Sequence, residues 1–179
     1  MSIKLFFAAV VFNFLFSNNS FAFFADSNTF KNTKYDVCFT PGGNCTDLVV
    51  DVVGSAKKEV LVQAYSFTSA PIAKAIVDAQ KRGVKVRVIL DKSQFSEKYS
   101  AAKFLEHEQV PVWNDRAVAI AHNKVMIIDD SIVITGSFNF TKAAQMRNAE
   151  NLLIVYDKDF AAKYKNNWYN RMKSAEKIN

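Results

Sequence analysis

HNKVMIIDDSIVITGSFN, residues 122–139, is the stretch on which the fold reading turns. Two polar pairs, His122/Lys124 and Ser137/Asn139, flank two apolar, β-branched runs with Asp129-Asp130-Ser131 between them. That pattern predicts a β-hairpin. Residues two apart in a strand project from one face, which places each pair together. A two-residue turn at Asp129-Asp130 sets His122 opposite Ser137, and a turn one residue later sets it opposite Asn139. Either register gathers an imidazole, an ammonium, a hydroxyl and an amide. A three-residue loop breaks the arrangement unless a bulge restores it.

Imidazole is a nucleophile and proton carrier near neutral pH. A lysine suits a phosphate oxygen, and Asn and Ser donate hydrogen bonds to developing negative charge. Thr141 is placed to cap a following helix, TKAAQMR. Together these residues point to phosphoryl chemistry without a metal.

The surrounding chain supplies the rest of a domain. Strands are expected at Tyr35–Phe39, Glu59–Phe67, Val84–Leu90, Val110–Trp113 and Asn151–Tyr156. Helices are expected at Thr46–Lys57, from Pro71 to Gly83, at Ser96–Glu108 and at Asp159–Lys177. This alternation predicts a single α/β domain, a mixed β-sheet with helices on both faces. No linker or second His-x-Lys motif interrupts it.

The chain has 179 residues, half of them hydrophobic, which excludes a disordered protein. Its net charge of +6 favours anionic partners. Residues 1–22 read as a signal peptide, with Lys4 ahead of an apolar run and small residues at Ser20 and Ala22 before a cleavage site. The alternative is an uncleaved membrane anchor through residues 1–25. Removing residues 1–22 takes away Lys4 and no acid, leaving +5. Residues 23–34 form a short N-terminal extension, and 35–179 the folded domain. Export to the periplasm or outside the cell permits a disulfide between Cys38 and Cys45, across the Pro41-Gly42-Gly43 turn. That turn lacks the Gly-Lys-Ser/Thr ending of a phosphate loop.

The order His, one residue, Lys, four residues, Asp, six residues, Gly-Ser-any-Asn resembles the HKD motif of the phospholipase D superfamily at every defined position. VQAYSFTS, IVDAQKRGVKVRVILD, GSFNFTKAA and NAEN extend the resemblance to that superfamily's small single-motif bacterial nucleases. It runs from about Tyr35 to the C-terminus. The resemblance implies a phospholipase D/nuclease-like fold and a two-fold homodimer, with DNA or another phosphodiester as substrate. It also implies that Glu150 hydrogen-bonds the active histidine.

Covalent cleavage of a phosphodiester needs one unprotonated group to attack phosphorus and one protonated group to release the leaving oxygen. The chain has two histidines. His107 lies between glutamates in LEHEQ and reads as helix surface, leaving His122 alone. Two chains meeting about a two-fold axis would supply the missing imidazole.

The expected catalytic set is therefore His122, Lys124, Asn139, Ser137 and Glu150. Asp129 reads as a turn or packing residue, and Gly136 as a site of close backbone approach. Lys142 and Arg147, with Lys85 and Arg87, are candidates for a basic rim. No metal-ligand spacing is present, and no cofactor is expected.

Three functions fit this set. The first is an exported, metal-independent, non-specific DNA endonuclease acting through a phosphohistidine. The second is a phospholipase D hydrolysing phosphatidylcholine-type lipids. The third is a non-catalytic DNA-binding or uptake component. A membrane partner is expected only if the N-terminal segment is retained or the substrate is a lipid.

Overall fold

The computed structural model describes residues 32–179, and Asn32–Asn179 form one compact unit. The expected signal peptide, and the extension as far as Lys31, lie outside the described residues. The element order is β1 (Lys34–Thr40), α1 (Cys45–Ser55), β2 (Glu59–Ala64), α2 (Ala70–Lys81), β3 (Lys85–Asp91), a 3₁₀ turn (Lys92–Phe95), α3 (Ala102–His107) and β4 (Val112–Asp115). Then follow β5 (Lys124–Ile128), β6 (Ile132–Gly136), α4 (Lys142–Met146), β7 (Glu150–Tyr156), α5 (Lys158–Ser174) and β8 (Glu176–Lys177).

The eight strands form one sheet in the order β1-β7-β6-β5-β2-β3-β4-β8. β2, β3 and β4 are parallel, and the remaining pairs are antiparallel. The mixed α/β architecture is the one expected. α1 to α4 cover one face, packing Val49, Val53, Ile72, Ile76, Leu105 and Ala144 on Val62, Val88, Met126 and Ile154. α5 covers the other, packing Ala161 and Trp168 on Leu61, Ile89, Val125, Ile127 and Val133. The strand alternation sorts side chains between these two cores. The Trp168 indole also donates to the Val62 carbonyl at 2.9 Å, and Arg171 grips the buried Asp115 carboxylate through Nε and Nη2.

Several expectations need correction. The hairpin loop has three residues, because Ile128 pairs with Ile132. Asp129 and Asp130 both adopt positive φ (51° and 58°), and Ser131 N–H donates to the Ile128 carbonyl at 3.1 Å. Short polar side chains tolerate this left-handed backbone. Helix α1 stops at Ser55, not Lys57. The N–H groups of Lys57, Lys58 and Glu59 donate to the Asp129 carboxylate at 2.8, 2.7 and 2.9 Å, which pulls the chain out of helix.

The helix expected at Ser96–Glu108 begins only at Ala102. Ala101 N–H is drawn to the Phe67 carbonyl at 2.7 Å. The last helix ends at Ser174, and Glu176–Lys177 pair with Asn114 and Trp113 on the edge of β4.

The basic rim is smaller than expected. Lys85 pairs with Glu59, at the opposite end of β2 from the Ala64–Lys124 pair. Arg87 is held under α5 by the Tyr169 hydroxyl and by Glu59. Cys38 and Cys45 form the expected disulfide, joining β1 to the first residue of α1.

Candidate active site

The cleft lies where the parallel strands end. β5 begins at Lys124 beside Ala64, the last residue of β2. α/β sheets commonly place their ligands at such carboxyl ends. His122 itself precedes the strand and is exposed, a departure from the expected hairpin arm. The Tyr65 N–H donates to the Asn123 carbonyl at 2.8 Å, so the backbone still runs alongside β2.

A bulge repairs the register that the three-residue loop would have spoiled. Gly136 pairs with Leu152. Both the next N–H groups, of Ser137 and Phe138, donate to the Asn151 carbonyl, at 3.0 and 3.2 Å. Two residues of one strand thus answer one of the other. Without the extra residue, Ser137 and Asn139 would alternate onto the face opposite Lys124. With it, Asn139 falls beside Glu150 and, by counting, beside His122. Gly136 enables the turn-out. Its φ is +132°, and a Cβ there would collide with the Asn151 carbonyl.

His122, Lys124, Gly136, Ser137, Asn139 and Glu150 line one open cleft of about 420 Å³. Lys124 is 7% exposed, and its Nζ donates to the His122 carbonyl at 3.1 Å. Burial holds its pKa below the usual lysine value, and the negative Glu150 opposes that shift. The Asn139 Oδ1 is buried with no hydrogen-bond partner among the described residues, whereas its backbone carbonyl accepts from Thr141 N–H at 2.7 Å. The expected cap is present: Thr141 Oγ1 accepts from Ala144 N–H at 3.0 Å.

Glu150 does not bond His122 within the chain. One carboxylate oxygen accepts from Ser137 Oγ at 2.6 Å and the other from Asn148 Nδ2 at 2.9 Å. Ser137 Oγ in turn accepts from Asn151 N–H at 3.0 Å. Its proton is therefore committed to Glu150, and the hydroxyl braces the cluster.

Asp129, the first residue of the hairpin loop, lies past the far end of β5 from Lys124, a separation of about 17 Å at strand rise. Burial disfavours its charge, but the three N–H groups and the nearby Lys58 charge outweigh burial and lower its pKa. Lys142 and Arg147 are exposed at the two ends of α4, and neither lines the cleft. His107 is exposed at the end of α3.

Two residues were missed in the sequence. The Tyr65 ring packs on the His122 imidazole with centroids 4.6 Å apart, and Lys124 Nζ lies 5.1 Å from its centroid. Its position just past a strand that leads to the cleft was the available signal. Asp91, 2% exposed, accepts from Ala121 N–H at 2.7 Å and from Ser93 N–H at 2.9 Å. It fixes the segment that delivers His122. Burial opposes its ionisation, yet these bonds lower its pKa.

A buried ammonium, an imidazole and a carboxamide around an open cleft can bind and attack a phosphate diester. Known proteins agree with this chemistry. The family model described as cardiolipin synthase, PLD-like domain, matches residues 49–172. The chain belongs to the phospholipase D superfamily, as a small Nuc-like member. It is accordingly a phosphodiester hydrolase.

A phospholipase D family member, Nuc from Salmonella typhimurium, superposes with a TM-score of 0.78 at 34% identity, covering 82% of this chain and 98% of that one. NucT from Helicobacter pylori superposes at 0.75 and 29% identity, covering 82% and 99%. A protein named phospholipase D from Rickettsia felis is 45% identical over 142 residues, 79% of this chain and 71% of the relative.

Proposed function

We propose that this chain is an exported, metal-independent endonuclease that cuts DNA with little sequence preference, working as a two-fold homodimer. The observation that carries this reading is the cleft wall. All six lining residues are polar or glycine, so among the described residues the cleft wall offers an acyl chain no apolar side chain. A site that contacts only phosphate carries no base readout. The net charge, +6 for the whole chain and +5 without residues 1–22, and the disulfide accord with an exported protein that meets a polyanion.

One His122 attacks phosphorus, forming an N–P bond as the P–O bond to the leaving sugar breaks. His122 of the partner subunit gives its proton to that oxygen. The same imidazole then takes a proton from water, whose oxygen attacks phosphorus and breaks the N–P bond. Lys124 and Asn139 hold the non-bridging oxygens, where charge accumulates in each transition state. Ser137 and Asn148 orient Glu150. Glu150, held within the chain by Ser137 and Asn148, serves His122 of the partner subunit across the two-fold axis. Asp129 and Gly136 are structural.

A second reading, a phospholipase D acting on phosphatidylcholine-type lipids, is favoured by the name of the Rickettsia relatives. Plasmid DNA and phosphatidylcholine vesicles incubated side by side with excess EDTA separate the two. DNA cleavage is expected, and it is abolished by His122→Ala with the fold and dimer intact. Hydrolysis of vesicles alone would establish the second reading. Loss of all activity on chelation, or full activity in a dilute monomer, would sink the proposed mechanism.

A further inference from the structure

Among the described residues, the His122 imidazole makes no hydrogen bond, although it lies exposed at the lip of the cleft. A ring held only by its own two torsions samples many orientations. What touches it is the ring of Tyr65, with ring centroids 4.6 Å apart and planes inclined at 55°. Aromatic pairs are attractive at this range. The same ring stands 5.1 Å from the Lys124 ammonium, within cation–π reach. The Tyr65 backbone is itself fixed, donating to the Asn123 carbonyl between the two functional residues. The Tyr65 hydroxyl has no partner among the described residues.

We propose that Tyr65 is the positioning residue for the active site. Its ring face sets the orientation of His122 and the placement of Lys124 before substrate arrives. The ring acts, and the hydroxyl does not. This role rests on the reading of His122 as the group that attacks phosphorus and carries the proton. Glu150, already engaged by Ser137 and Asn148, leaves this orienting task within the chain to Tyr65. An aromatic wall also suits a group that passes through a cationic state, because the ring face attracts imidazolium as it attracts the lysine.

The test compares Tyr65→Phe with Tyr65→Leu in the full-length protein, using bis(p-nitrophenyl) phosphate in EDTA. Tyr65→Phe is expected to keep kcat within about twofold. Tyr65→Leu is expected to lose about 10- to 100-fold in kcat with KM nearly unchanged, the signature of a misplaced reacting group. Proton–carbon NMR of the His122 ring is a readout independent of turnover. The ring-current shift seen in the parent should persist in Tyr65→Phe and vanish in Tyr65→Leu.

Were Tyr65→Leu to keep full kcat, or Tyr65→Phe to fall as far as Tyr65→Leu, the proposal would be overturned. Should Tyr65→Leu fail to fold, Tyr65→Met fills the space without a ring face and gives the same comparison. His122→Ala separates the two ideas. If that variant stays active, the reading of His122 fails, while the NMR comparison still decides whether Tyr65 orients the imidazole.

Discussion

Removing the Asp129 carboxylate should cost stability and leave chemistry alone. The side chain accepts three backbone N–H bonds, from Lys57, Lys58 and Glu59, and stands on a residue with φ of 51°. Asp129→Ala loses all three bonds, each worth about 1 kcal/mol at a partly exposed site. It also places alanine in the left-handed region, at about 1 kcal/mol. The sum is about 4 kcal/mol, or roughly 8–16 °C in Tm for a domain of this size. Asp129→Asn keeps one oxygen and tolerates the backbone, so about 1–2 kcal/mol is expected.

The pH dependence has a definite sign. The folded carboxyl has a lowered pKa, so the unfolded chain takes up its proton first. The stabilisation is therefore complete at neutral pH and declines as the pH falls through and below the ordinary carboxylate range. Urea melts of parent and Asp129→Asn at pH 7 and across the acid range should show their gap closing. Specific activity of the folded fraction should be unchanged in both variants, given a separation of about 17 Å from Lys124. A fully folded but inactive Asp129→Asn protein would refute this account and return Asp129 to the reaction.

Gly136→Ala should lose about 3 kcal/mol and most activity together, because φ of +132° and the Asn151 carbonyl leave no room for a Cβ. Thermal melts and a phosphodiester assay check it, and an unperturbed Tm would contradict the bulge geometry. Lys165 bonds both Glu59 and Asp130; burial alone would lower its pKa, but these partners push it up to about 12. The raised pKa means its stabilisation, about 1 kcal/mol after screening, is whole below about pH 10 and is lost as the pH climbs through 12. The urea-midpoint gap between the parent and Lys165→Gln should thus hold from pH 7 to 9.5 and narrow above.

The strands, the helices on both faces and the chemical identity of the cleft were legible because they depend on local periodicity and on residue types at short spacing. The hairpin register was not. Asp129-Asp130-Ser131 is compatible with more than one turn, and the choice is made by distant amides at residues 57–59. The bulge at Ser137–Phe138 depends on Asn151, which sequence spacing does not bring near. The intrachain partners of Glu150 were illegible for the same reason, since Ser137 reaches it only once the bulge has formed. Tyr65 reads as one more buried strand residue until the sheet order sets it against His122.

The sheet also divides labour between its two surfaces. α5 clamps one of them through Trp168 and contributes nothing to the wall around His122. Drift in that helix would change how long a molecule stays folded, not what it does to a phosphate. Durability and reactivity can thus be tuned separately in this chain, by altering opposite sides of one slab.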